Sequence, residues 1–272
     1  MTEQLFLFPD IDPVALGLGP IEVRWYALAY ITGLLLGWIL LRRRVSAGFT
    51  PFTHAQLDFL LNAALVGILI GGRLGYVLFY NLSYFASNPI AILKVWEGGM
   101  AFHGGMIGVV FAVLYFARQT DIPSLAVGDL VALVAPIGLF FGRVANFING
   151  ELYGRVTTHP LGIIFPGGGD LPRHPSQLYE AVLEGVVLFF VLYICDRHLS
   201  ARYGSARPHG ILVAIFLIGY GFARLAVEFV REPDPHLGLL IDIGSFGISM
   251  GQVLSVPMVL LGIFCLMIGR RK

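Results

Sequence analysis

Charged side chains are scarce in this chain. Asp, Glu, Lys and Arg make up 13% of its 272 residues, against 57% apolar ones, whereas a water-soluble domain carries about 25% charge. So little charge cannot cover a water-soluble globule, and a membrane protein is expected. Cysteine is nearly absent: Cys195 and Cys265 stand alone, with no neighbours at metal-ligand or redox spacing, and read as small apolar side chains packed in helices. The net charge is only +1, so no basic excess points to nucleic acid as a partner. Residues 1–20 contain acids and prolines rather than a basic stretch before an apolar one, and no cleavable signal peptide is expected. P-loop, zinc-ligand and nucleophile-elbow patterns are all missing, so chemistry without nucleotide, metal or other cofactor is expected.

What the chain does have is apolar length. Crossing ~30 Å of hydrocarbon takes ~20 mainly apolar residues in a helix, and seven stretches qualify: 25–41, 57–80, 100–117, 127–146, 178–195, 210–230 and 248–268. The expected fold is an all-α polytopic membrane protein, a single seven-helix domain over residues 1–272. Residues 147–177 form a small outer cap between spans four and five. Residues 81–97 form a second outer segment that is either an interfacial arm or a plain connector. Many of the 34 glycines suit helices that pack closely in lipid, above all the ridges Gly67, Gly71, Gly75 and Gly104, Gly108. Basic residues follow the odd-numbered spans, at Arg42, Arg43 and Arg44, then Arg118, then Arg197, Arg202 and Arg207, then Arg270, Arg271 and Lys272. By the positive-inside rule those loops and the C-terminus are cytoplasmic and the N-terminus is outside.

Ionisable groups inside spans are costly and mark functional candidates. Tyr220, Arg224, Glu228 and Arg231 sit at offsets of four, eight and eleven on the sixth span, within ~80° of one another at 100° per residue. That spacing allows Arg224–Glu228 and Glu228–Arg231 pairs, serving either a site or an ion-pair ladder that locks helices. Arg143 and Asn146 close the fourth span, followed by Asn149 and Glu151; His103 opens the third, and Arg73 lies near the end of the second. Glu180 and Glu184 enter the fifth span one turn apart. On the expected topology all of these lie toward the outer leaflet. Two guanidiniums at headgroup depth suit a phosphate, to which each presents a planar donor fork that stays charged. His103 is read either as a proton acceptor or as a hydrogen-bonded structural residue.

These residues sit in recognisable motifs: Gly71-Gly72-Arg73-Leu74-Gly75-Tyr76, Phe102-His103-Gly104-Gly105, Gly142-Arg143-Val144-Ala145-Asn146-Phe147-Ile148-Asn149-Gly150-Glu151 with Gly154-Arg155 beyond, Arg173-His174-Pro175-Ser176-Gln177-Leu178-Tyr179-Glu180, Glu228-Phe229-Val230-Arg231-Glu232-Pro233-Asp234, and Ser249-Met250-Gly251-Gln252. In this order and spacing the chain resembles the prolipoprotein diacylglyceryl transferase family over essentially its whole length. Ala145 stands where that family usually has glycine, a change of one methyl, and the outer cap is short beside some relatives.

The resemblance implies an enzyme of the bacterial inner membrane. Its substrates are phosphatidylglycerol and prolipoprotein signal peptides bearing a lipobox cysteine. The diacylglyceryl group moves to the cysteine sulfur as a thioether, glycerol phosphate is released, and this is the first step of lipoprotein maturation. The family points to His103 as candidate base and, together with the phosphate argument, to Arg143 and Arg224 as the groups that stabilise the leaving phosphate. Tyr26, Arg73, Asn146, Glu151, Gly154, Tyr220, Glu228 and Arg231 are the further substrate-binding residues. On the residues alone, an anion transporter, another lipid enzyme such as a phospholipid hydrolase, and a structural scaffold remain open. The clustered arginines argue against the scaffold, and the lack of an inverted repeat argues against the transporter.

Overall fold

A computed structural model describes residues 6–19, 21–50, 52–204, 207–232, 239–243 and 246–269. Arg270, Arg271, Lys272, Pro233 and Asp234, used in the topology and motif readings above, lie outside the described residues.

The chain is mainly helical. A strand β1 (Phe6–Leu7) and a hairpin of β2 (Val14–Leu18) and β3 (Ile21–Arg24) precede α1 (Trp25–Ser46) and α2 (His54–Tyr80). Next come α3 (Leu82–Ser87), two short 3₁₀ turns (Pro89–Leu93 and Val95–Glu97), α4 (Phe102–Thr120) and α5 (Ser124–Ile148). Strand β4 (Ile163–Ile164) pairs in parallel with β1. A continuous 28-residue helix, 176–203, is built from α6 (Ser176–Glu180), a π-helical stretch (Ala181–Val187) and α7 (Leu188–Tyr203). The described chain ends with α8 (Ile211–Glu228), the hairpin β5 (Leu239–Ile243) and β6 (Phe246–Ser249), and α9 (Met250–Gly269).

Six of these helices are long and apolar enough to cross a membrane: α1, α2, α5, the α6–α7 helix, α8 and α9. This is an all-α polytopic membrane protein. The third expected span is a helix as well, α4, but its 19 residues rise only about 28 Å. Polar His103, Arg118, Gln119 and Thr120 occupy its ends, which dilutes its apolar character and sets it apart from the six. The short strands were not foreseen, because two- to five-residue pairings carry too little alternation to register.

Local signals explain the helix boundaries. Thr53 caps α2: its hydroxyl accepts from Gln56 N at 3.2 Å while Gln56 Oε1 accepts from Thr53 N at 2.9 Å, a reciprocal capping box. Large apolar side chains are exposed along the spans, among them Phe111, Ile70, Leu260 and Phe264, the reverse of a soluble surface.

Two compact units are present. In residues 41–128, α2 packs on α4 through facing glycines: a Cβ on Gly67, Gly71, Gly104 or Gly108 would strike the opposing backbone carbonyl. These are the ridges expected from the sequence, and small residues are what bring the two backbones together. The other unit comprises residues 1–40 and 129–272 and has Leu133, Leu192, Leu212 and Val227 in its interior. There a buried Asp129 on α5 accepts from Gly210 N (2.8 Å) and Val213 N (3.0 Å) at the start of α8, and Asp196 pairs with Arg207. Asp129 thereby satisfies donors that every helix N-terminus leaves open.

Candidate active site

The 1–40/129–272 unit gathers most of the polar groups picked out in the sequence. The last turns of α5 supply Arg143 and Asn146. The chain then folds back, with Glu151 N donating to Asn146 O at 3.1 Å, so that Asn146 Nδ2 reaches Glu151 Oε1 at 2.8 Å. The beginning of α6 holds this turn in place: Gln177 Nε2 donates to Glu151 O (2.7 Å) and Ser176 Oγ to Leu152 O (3.0 Å). Leu152 has φ +59°, a left-handed conformation uncommon outside glycine that such flanking bonds must maintain.

The arginines meet around Glu180, whose side chain is fully buried. Arg143 Nε lies 3.0 Å from Glu180 Oε2, and Arg224 Nη1 donates to Glu180 Oε1 at 2.5 Å. One carboxylate thus bridges guanidiniums from two different spans. Arg143 Nη2 also donates to buried Glu184 at 3.3 Å, Arg224 Nη2 pairs with Glu228 at 2.7 Å, and Arg231 Nε lies 3.9 Å from Glu180. The expected i,i+4 pair Arg224–Glu228 is therefore present. The wide turns of the π-helical stretch carry Glu184 on the same side as Glu180; such distortions are frequent at functional sites. The contacts leave Arg143 Nη1 without a hydrogen-bond partner among the described residues. At 18% side-chain exposure, against 10% for Arg224, Arg143 is also the more open of the two.

Aromatic hydroxyls border the cluster. Tyr30 donates to Tyr26 at 3.2 Å and is within electrostatic reach of Arg143 and Glu151. Tyr220 is within reach of Glu184, Glu180 and both arginines. Gly154 ties the cap to the end of α8: its N donates to His174 O at 2.8 Å, it bridges to Arg231, and Arg155 N donates to Val230 O at 2.8 Å. A Cβ at Gly154 would collide with Val230 O and stand 2.9 Å from His174 O, so only glycine fits between them. In the cap, burial and the neighbouring His159 hold His174 below the ordinary histidine value, which favours its neutral form.

Tyr26, Arg143, Asn146, Glu151, Gly154, Tyr220, Arg224, Glu228 and Arg231 thus share one unit, whereas His103 and Arg73 belong to the other. His103 is an exposed residue on the first turn of α4, beside the Phe102 ring, with no hydrogen-bond partner among the described residues. Arg73 is buried and turned to the backbone of the segment after α2. Sequence reasoning did not assign site roles to Glu180, Glu184 or Tyr30. The spacing of the two glutamates was visible, but their partners lie on other helices. Among the described residues no cluster of His, Cys, Asp and Glu forms a metal-binding group.

A pair of arginines from two helices that share a buried carboxylate, one of them with an unengaged donor edge, has the donor geometry that a tetrahedral anion can use. Residues 13–268 match the family model for prolipoprotein diacylglyceryl transferase. A phosphatidylglycerol–prolipoprotein diacylglyceryl transferase from Rhodospirillum rubrum is 51% identical over 266 residues, covering 97% of this chain and 94% of the relative. Enzymes of the same name from Allorhizobium ampelinum (48% over 270 residues, covering 97% and 92%) and Nitratidesulfovibrio vulgaris (48% over 269 residues, covering 98% of each) are similar along their whole length. With a matching family model over nearly all of its residues and full-length relatives at about half identity, the chain belongs to the prolipoprotein diacylglyceryl transferase family.

Proposed function

We propose that the protein transfers the diacylglyceryl group of phosphatidylglycerol to the thiol of a lipobox cysteine in prolipoprotein signal peptides. The observation that carries this reading, beyond family membership, is the convergence of Arg143 and Arg224 on Glu180. In the reaction the sulfur forms a bond to the terminal glyceryl carbon, that carbon's bond to the phosphate oxygen breaks, and the thiol proton passes to a base. The leaving glycerol phosphate gains negative charge as the C–O bond breaks, and preorganised guanidiniums stabilise such charge. Arg143 and Arg224 fill this role. Tyr26, Asn146, Glu151, Gly154, Tyr220, Glu228 and Arg231 shape the surrounding site, and His103 is the candidate base. Arg73, the remaining residue expected to bind substrate, turns its guanidinium to backbone carbonyls of the segment after α2.

The reading includes seven spans, with α4 as the third, in the bacterial inner membrane. The basic residues after alternate spans support an outside N-terminus and a cytoplasmic C-terminus. A reporter fused after Lys272 should then read cytoplasmic and one inserted near Gly168 outside; the same side for both contradicts this topology.

Purified protein, phosphatidylglycerol and a lipobox peptide should yield a thioether-linked diacylglyceryl peptide and glycerol phosphate, read by mass spectrometry. Unmodified peptide with intact lipid would refute the assignment. In the same assay Arg143→Lys and Arg224→Lys should each fall roughly ten- to a hundredfold, since an ammonium keeps the charge but loses the two-pronged contact. Near-normal turnover in both variants would rule out a shared phosphate clamp.

A further inference from the structure

Arg73 sits on α2 with its side chain buried, yet among the described residues no carboxylate pairs with it. All five of its N–H donors point instead at backbone carbonyls of the segment that follows α2. Nε donates to Ile92 O at 2.9 Å, Nη1 to Gly98 O at 2.5 Å and Gly99 O at 3.2 Å, and Nη2 to Ala91 O at 2.5 Å and Lys94 O at 3.2 Å. A guanidinium has five such donors and no more. The cation also lies over the Phe85 ring, 5.0 Å from its centroid.

The acceptors fit that arrangement. Ala91, Ile92 and Lys94 belong to or follow the first 3₁₀ turn; Ala91 O and Lys94 O each also accept a backbone N–H, from Lys94 and Glu97 at 3.2 Å, and use their second lone pair for the guanidinium. Gly98 and Gly99 follow the second, at φ +84° and +77°, and this pair of left-handed residues returns two more carbonyls to the same cation. A Cβ on Gly99 would lie 2.7 Å from the Tyr76 ring and 2.8 Å from Arg73 Nη1, so the fit excludes any larger residue.

A 3₁₀ helix turns once every three residues, which puts side chains at i, i+3 and i+6 in a row. Ile90 and Leu93 have that spacing within the first turn and Trp96 lies in the second, and the three are 75%, 73% and 77% exposed. The opposite side is buried: Ala91 joins Val77 and Phe85 in a small core with Ile92 packed against it. Exposed apolar side chains run along the sequence from Leu78, Phe79 and Tyr80, which end α2, one of the six membrane-length helices, through Leu82 and Tyr84 of α3 to Ile90, Leu93 and Trp96. Lys94, the basic side chain within the segment itself, is paired with Glu97 at 3.2 Å. Apolar exposure continuous with a spanning helix, with a tryptophan at its tip, matches the headgroup–acyl boundary of a bilayer.

We propose that Arg73 is a positioning residue that clasps residues 88–99 into a rigid arm, and that the arm seats Ile90, Leu93 and Trp96 in the lipid interface. Arg73 acts on lipid through the arm rather than by binding a phosphate. This rests on the membrane-spanning fold and not on the transferase reading, and its test involves no lipid turnover.

The full-length protein, with Trp25→Phe and Trp38→Phe so that Trp96 alone reports, is placed in phosphatidylglycerol–phosphatidylcholine vesicles carrying lipid brominated near the top of its acyl chains. Trp96 emission is expected to be quenched, and trypsin to cut slowly after Lys94. In Arg73→Lys, which keeps one charge but not the five-way contact, quenching should drop and cleavage after Lys94 should run roughly ten- to a hundredfold faster. Gly99→Ala, which leaves the cation intact, should act in the same direction. Leu93→Ser should weaken quenching with cleavage little changed. Trp96 unquenched in the parent protein overturns the lipid seat. Full protection and quenching in both Arg73→Lys and Gly99→Ala overturns the clasp.

Discussion

His103→Gln is expected to slow transfer by roughly 10²–10⁴-fold at neutral pH, the usual worth of a positioned general base. Glutamine keeps hydrogen-bonding capacity but cannot carry the thiol proton. His103 is exposed and makes no hydrogen bond among the described residues, so the variant should unfold at the wild-type temperature. A free thiol ionises near ~8.5, and the deficit should shrink as assay pH rises through that value because thiolate then forms without help. The two readings of His103 left open by the sequence separate here. A structural anchor would instead give a lower melting temperature and a deficit that does not depend on pH, and a stable variant with wild-type transfer at neutral pH would dismiss both.

Glu180→Gln should be nearly as severe. Its carboxylate is fully buried between Arg143 and Arg224, and removing one partner from a buried ion pair typically costs about 3–5 kcal/mol, since the remaining charge is left uncompensated. Where that loss falls on the alignment of the arginines, transfer should drop roughly 10²–10³-fold. Glu180→Asp retains the charge on a shorter stem and should recover part of the rate. The telling measurement is the double variant. If Glu180 works by aiming the two guanidiniums, Glu180→Gln combined with Arg143→Lys should be far less damaging than the product of the two single losses. Independent, multiplicative losses, or a Glu180→Gln protein with normal turnover, would exclude that role.

How much of this could be read beforehand depended on the range of the interaction. Spans declare themselves through unbroken apolar length, and six of the seven stretches returned as membrane-length helices; α4 is shortened in apolar terms by the polar residues at its ends. The Arg224–Glu228 pair is local, one helical turn apart, and needed nothing beyond periodicity. The Arg143–Glu180–Arg224 bridge joins three helices across 37 and 44 positions of sequence, and spacing alone carries no trace of such a contact. Arg73 shows the reverse case. A charge within a span signals function by default, but whether it meets a ligand or a ring of carbonyls depends on the path of the chain after Tyr80, which no pattern specifies.

The matched charges around Glu180 bear on how a reaction cycle ends. Arg143, Arg224 and Arg231 stand against Glu180, Glu184 and Glu228, so the formal charges of this cluster cancel in a low-dielectric setting. A phosphodiester headgroup enters with a single negative charge, but a phosphate monoester carries about −1.5 to −2 at pH 7. Once the C–O bond is broken, the three glutamates face more anionic charge than they faced on entry. Glycerol phosphate is soluble in water and no longer tethered to acyl chains, so mounting repulsion from those carboxylates would drive its escape while the lipidated peptide stays in the bilayer.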